Sequence, residues 1–278
     1  MKTMVMMTMK FLEIKKISKN FKKTIDIIRS WVYNKNVREI RKEMIKMKID
    51  KRKNYKLVLD VETANSQEQP LVYDIGFAVV DNKGNIYEEK SFIIRDIFIL
   101  EKELMKSAYY AVKVPKYWVD IKEGKRQVVD FMLMRWIVLE TMKKYNIKTV
   151  CAYNASFDIN ALNTTIRWLT KSAKRYFFPF GTKVECIWSM CCSVLYTQKS
   201  YQKMAKENNW VSEKGYIKTK AEQGYNYLHN TTDFEESHTG LEDVKIEIEL
   251  MARCLRQHKK MERNPKRGCW RLCQPAVA

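Results

Sequence analysis

The chain has 278 residues, 46% hydrophobic and 12% aromatic, which is enough to bury one α/β domain plus an extension but leaves little room for two full domains. Fifty-two Lys and Arg against 32 Asp and Glu give a formal charge of +20, a balance that draws polyanions; nucleic acid is the expected one, set against a merely lysine-rich composition. Seven irregularly spaced Cys exclude a disulfide framework, and the absence of an 18-residue apolar run excludes a spanning helix.

Residues 1–53 contain no Gly or Pro and supply more than half of the net charge. Apolar residues recur at Phe11, Ile14, Ile17, Phe21, Ile25, Ile28 and Trp31, and again at Val37, Ile40, Met44 and Met47. The spacing predicts two basic amphipathic helices, with a break at Asn34 and Asn36. Packing combined with nucleic-acid backbone contact is the preferred role, with an anionic membrane surface or a start of translation near Met44 or Met47 as alternatives. Thr8 and Lys10 interrupt the first apolar run and no small-residue cleavage site follows, so no signal peptide is expected. Reduced thiols then point to the cytoplasm.

From Tyr55 the pattern changes to strands. Leu57-Val58-Leu59 runs into Asp60, and Leu71 to Val80 forms a second strand. Asp81-Asn82-Lys83-Gly84-Asn85 is turn chemistry and returns the chain along Ile86 to Ile94, completing an antiparallel meander. Residues 125–145 read as a helix, 149–153 as a strand, 158–170 as a helix and 184–187 as a fifth strand. Residues 201–232 mix helical pieces with polar loops, and Leu241, Val244, Ile248, Met251 and Leu255 mark a last helix. Strands in a meander followed by strands alternating with helices predict a mixed sheet covered by helices. Three regions result: a basic helical extension over 1–53, a domain over 54–258, and a basic, flexible tail over 259–278. Cys254, His258, Cys269 and Cys273 lack the usual spacing of a zinc site.

Three short segments carry chemistry. Asp60 and Glu62, two apart on a strand, face one side and repel unless a cation sits between them. In Asn154-Ala155-Ser156-Phe157-Asp158 a strand passes into a helix whose first turn holds Asp158, a favourable place for any carboxylate. In His238-Thr239-Gly240-Leu241-Glu242-Asp243, His238 precedes the last helix and Asp243 borders its apolar stripe. Each segment alone has an ordinary structural explanation; their combination and order do not.

The wording LDVET, NASFD and HTGLED, in that order and on those elements, resembles the DEDDh (DnaQ-like) 3′–5′ exonuclease family over about residues 55 to 257. It is most similar to bacteriophage and bacterial members and to the proofreading subunit of replicative polymerases. A sister group has Tyr four residues before the last Asp; here Thr239 stands there and His238 five before Asp243, which indicates the His subclass. Gly240 replaces a common Ala, and no loss is expected because both are small.

The resemblance implies a ribonuclease H-like three-layer α/β fold with a mixed five-stranded sheet. It implies two divalent ions, Mg²⁺ or Mn²⁺, held by Asp60, Glu62, Asp158 and Asp243, with His238 as the base, and release of nucleoside monophosphates from a 3′ end. Asn154 and the backbone at Thr63 and Ala64 would hold the terminal nucleotide, and Phe157 would stack on a base or pack in the core. Single-stranded 3′ ends of DNA are the expected partner, in a host cytoplasm if the chain is phage-encoded, with a polymerase or other replication partner docked on the N-terminal helices. RNA-directed trimming and a non-catalytic scaffold on the same fold are the alternatives.

Overall fold

The computed structural model describes residues 49–50 and 52–274. The chain divides into two units, Met1–Ile49 and Asp50–Ala278, and the sheet and its helices belong to the second. The basic helices expected before residue 50 lie outside the described residues.

The sheet has six strands in the order β4-β3-β2-β1-β5-β6: β1 (Lys56–Ala64), β2 (Leu71–Val80), β3 (Ile86–Ile94), β4 (Gln127–Val129), β5 (Thr149–Ala152) and β6 (Lys183–Cys186). β1, β2 and β3 form the antiparallel meander, and β4, β5 and β6 join in parallel. This is a mixed α/β sheet with helices packed on it, as expected, and it has one strand more than the sequence pattern indicates. β4 falls inside the stretch 125–145 read as a helix. Its three residues pair with Phe92, Ile93 and Ile94 before Asp130 precedes the true helix, and three residues are too few to show a period of two.

β2 is buried along all ten residues, as expected of a strand covered on both faces. Exposed and half-buried residues run through β3 until its last three. The helices are α1 (Arg95–Phe98), α2 (Lys102–Met105), α3 (Val114–Lys122), α4 (Phe131–Lys144), α5 (Ala155–Thr170), α6 (Ile187–Val194), α7 (Lys199–Glu207), α8 (Ala221–His229) and α9 (Gly240–Arg256). Pro115 sits in the first turn of α3, where its missing N–H costs nothing. α5 starts three residues earlier than the apolar pattern indicates, so that Asp158 lies in its first turn. α9 buries Val244, Ile248, Leu250 and Met251 and lies across β1 and β2.

Two glycines set how closely α9 approaches. A Cβ on Gly76 would stand 2.2 Å from the Leu241 amide nitrogen, and a Cβ on Gly240 would stand 2.4 Å from that of Gly76. The helix start therefore rests directly on the backbone of β2, opposite Asp60 in the β1–β2 register. In this chain a methyl group added at position 240 would have to push the helix off the sheet.

The tail from 259 makes contacts with the domain as far as Gln274. The Arg263 carbonyl accepts a hydrogen bond from the Cys186 amide (2.6 Å), and the Ser193 hydroxyl accepts one from the Glu262 amide (3.1 Å). Gln274 clasps Ile217 through both amide atoms, at 2.7 and 3.2 Å. A short 3₁₀ turn, Cys269–Cys273, buries both of its cysteines against α6. Cys269 and Cys273, not the intervening charges, set the fit. All seven cysteines are free, buried thiols. Cys254 lies 3.6 Å from Cys191 and His258 is exposed, so the fourfold zinc set is not assembled. No helix among the described residues is long and apolar enough to cross a membrane.

Candidate active site

Asp60 and Glu62 project from the same face of β1, and their partners across the β2 pairing are Gly76 and Asp74. The register slips immediately after Glu62, at Thr63. Such a bulge ends the ladder and redirects the chain beside a site. Thr63 is half-buried and its carbonyl accepts from the Tyr109 amide at 3.4 Å, while Ala64 is buried. Asn154 is exposed at the start of α5, its carbonyl accepting from the Phe157 and Asp158 amides. Phe157 is half-buried.

Asp158 and Asp243 reach the same cleft from the starts of α5 and α9. Asp158 is 3% exposed and accepts from the Val61 and Asp158 amides. Asp243 is buried and accepts from the Ser237 hydroxyl at 3.3 Å. One ligand atom each from Glu62, His238 and Asp243 lie within 4.8 Å of one another. His238 holds a left-handed backbone conformation (φ 52°), uncommon for a non-glycine residue. Its ring stacks on Tyr110, with centroids 3.9 Å apart and planes 11° apart.

A second cluster fixes the loop beneath His238. Asp74, fully buried, accepts from the Gly240 amide (3.1 Å), the Tyr117 hydroxyl (2.7 Å) and Arg126 (3.5 Å). Arg126, also buried, extends to Asp120 at 3.2 Å and Glu242 at 3.1 Å. Thr239 donates to Glu242 (2.7 Å), so the N-cap residue and its third neighbour meet as in a capping box.

Two residues that the motifs do not contain belong to the same acidic cleft. Glu247, one helical turn beyond Asp243, is 3% exposed and accepts from the Tyr153 amide, but its Oε2 has no hydrogen-bond partner. Glu236 stands with its Oε2 at 4.0 Å from His238 Nδ1. The signal for Glu247 was available in the i, i+4 step from Asp243 within an apolar stripe. Tyr110 gave no signal, because the short helices of 95–122 carry no periodic stripe.

The electrostatics of this group are one-sided. Among the described residues no Lys or Arg comes within ion-pair distance of Asp60, Glu62, Asp158, Asp243 or Glu247. Asp60 Oδ2 is buried without a partner. Burial first, and then neighbouring carboxylates, push Asp60 and Glu247 well above the carboxylate range and Glu62 up to about 10. Burial raises Asp158 and Asp243 to about 7, against the hydrogen bonds that each accepts, and raises Glu236 to about 7. Burial, with Lys113 and Lys220 adding to it, lowers His238 below its ordinary value, so the ring is neutral and able to accept a proton at neutral pH.

An unpaired buried ion costs several kcal/mol. These carboxylates therefore carry protons or share a cation. Their all-oxygen donor set, with orphaned Asp60 Oδ2 facing into it, fits a hard divalent ion such as Mg²⁺ or Mn²⁺. A concave pocket of about 380 Å³ lies elsewhere, between α4 and residues 179–182, and none of the acidic side chains lines it.

No family model and no curated protein matches the sequence. Among solved structures the chain is similar to a full-length 3′-exonuclease, with a TM-score of 0.46 and 13% identity, over 76% of this chain and 86% of that one. It is also similar to a moderately thermophilic Exonuclease I from Methylocaldum szegediense, with a TM-score of 0.41 and 13% identity over 78% of this chain. There the chain spans only 42% of the other protein's length.

Proposed function

We propose that the chain is a divalent-cation-dependent 3′–5′ exonuclease that releases nucleoside monophosphates from DNA ends. The observation that carries this reading is a cleft of carboxylates with no cationic partner, bordered by the His238 imidazole. Asp60, Glu62, Asp158 and Asp243 would hold the cations. When bound, the cations would neutralise charge on the scissile phosphate and favour ionisation of the attacking water.

His238 accepts the proton of that water through its unprotonated ring nitrogen as the oxygen bonds to phosphorus. The bond from phosphorus to the 3′ oxygen of the penultimate nucleotide breaks, and the terminal monophosphate leaves. Asn154 and the Thr63–Ala64 backbone hold the terminal nucleotide at the C-terminal end of β1, with Phe157 beside it. Tyr110 keeps the imidazole plane fixed. The excess of basic residues, to which 1–53 contribute most, draws the polyanion and holds its backbone.

The test is digestion of single-stranded DNA, duplex DNA with a frayed end, and RNA, by the whole chain and by a chain lacking residues 1–50. Mg²⁺-dependent release of mononucleotides from DNA 3′ ends is expected, with weaker binding and a flatter salt dependence for the shortened chain. Preferential trimming of RNA would transfer the reading to an RNA substrate. No degradation of any of the three would end it.

A further inference from the structure

We propose that Glu62, Asp243 and His238 form a mixed oxygen-and-nitrogen site for Zn²⁺, in which the imidazole serves as a metal ligand instead of a base. The inference rests on the nuclease reading for the identity of the cleft. It goes beyond that reading, which gives the cations carboxylate ligands alone.

Three observations carry it. The ligand atoms of these three residues already lie within 4.8 Å of one another. Ligands sharing a tetrahedral Zn²⁺ at 2.0–2.2 Å stand about 3.4 Å apart, so a small inward movement of each side chain completes the set. The His238 ring is 28% exposed and stacked on Tyr110, which fixes its plane beside Glu62 and Asp243. Glu236 Oε2 stands 4.0 Å from Nδ1, beyond hydrogen-bond distance as the chain stands, and a closure of about 1 Å would let it accept from Nδ1–H and leave the Nε2 lone pair free. A carboxylate behind the ring is the usual support of a zinc-ligating histidine.

The donor types also discriminate between ions. An imidazole beside two carboxylates, with a fourth position open, suits Zn²⁺; Mg²⁺ keeps to oxygen ligands. Zn²⁺ bound this way occupies the lone pair that proton abstraction needs. The same three residues then hold an inactive, Zn²⁺-loaded form at low Zn²⁺ and leave His238 free when Mg²⁺ alone is present.

The test is calorimetric titration of the whole chain with Zn²⁺ and, separately, with Mg²⁺, in the wild type and in His238→Asn. Asn tolerates the left-handed backbone at this position, and His238→Gly serves as a second variant that strains it still less. Zn²⁺ affinity should fall about 10-fold to 100-fold or more in both variants, while Mg²⁺ affinity should change by less than about threefold. Co²⁺ as a spectroscopic substitute should give a d–d band in the wild type that both variants lose. Zn²⁺ affinity unchanged in both variants would overturn the proposal. So would a thiolate-to-cobalt charge-transfer band, which would locate the site among Cys192, Cys269 and Cys273. A chain that degrades no nucleic acid with Mg²⁺ would defeat the nuclease reading alone and leave the titrations to stand by themselves.

Discussion

Glu185, a buried acid on the last strand, and the acids of the cleft are treated in opposite ways. Glu185 on β6 is 1% exposed, yet Lys56 reaches it at 2.6 Å, Lys183 at 2.8 Å and Arg263 at 3.7 Å. Hydrogen bonds from Lys183 and Lys56, with their charges, outweigh its burial and lower its carboxyl. Across β1 the cleft acids, buried except for half-buried Asp60, have no cation and are raised. The chain can plainly pair a buried carboxylate where the fold needs it. Leaving five unpaired in one place, at several kcal/mol for each ion held without a partner, identifies a position for something not supplied by the protein.

The contrast can be broken from either side. The largest effect should come from Asp60→Ala or Asp243→Ala, or from EDTA: each should lower the rate of 3′-end hydrolysis about a thousandfold or more, because each removes the charge balance that the reaction requires. A variant with wild-type turnover would remove the cleft from the chemistry. On the paired side, Lys56→Met strands Glu185 with its outer partners and should cost about 3–5 kcal/mol in urea unfolding. Asp60→Asn should do the reverse, raising stability in EDTA by about 1 kcal/mol, since it removes an unpaired acid. If both variants destabilise equally, the two regions do not differ in this way.

Gly76→Ala should cost about 1–3 kcal/mol by overpacking, and should lower activity further by lifting Asp243 from Asp60. Equal activity at equal stability would mean that α9 can shift without consequence.

The smallest and most diagnostic difference is in pH dependence. Asp158, Asp243 and Glu236, raised to about 7, bind protons in the folded chain that the unfolded chain has already lost above about pH 4. Their contribution to stability is complete below the unfolded value and is lost as pH climbs toward 7. Glu185, lowered, contributes above its unfolded value and loses that contribution as pH falls. Unfolding in EDTA followed from pH 4 to 8 should show the cleft's downward slope, and Asp243→Asn should flatten it. A slope unchanged by that substitution would assign it to other groups.

Much of this was legible in the sequence, and the boundary is physical. Asp60, Glu62, Asp158, His238 and Asp243 were candidates on the joint order and wording of three short segments, each of which is local in the sequence. β4 was too short to show its period. The helices between Arg95 and Lys122, which deliver Tyr110 and Tyr117, are short and lack a stripe, so neither ring could be assigned a partner. The Lys56–Glu185 pair joins two charges 129 positions apart inside strands, where composition argues for exposure. Gly240 was legible only as a small residue, because the demand on it comes from Gly76, a distant stretch of chain.

The contact between those two glycines has a consequence for descent. Neither position can accept a side chain while the other keeps the helix in place, so substitutions at 76 and 240 should be tolerated only as a joint event with a shift of α9. Among diverged relatives the two positions should vary together or not at all. Two small residues, far apart along the chain, would then carry a shared record of how the last helix meets the sheet.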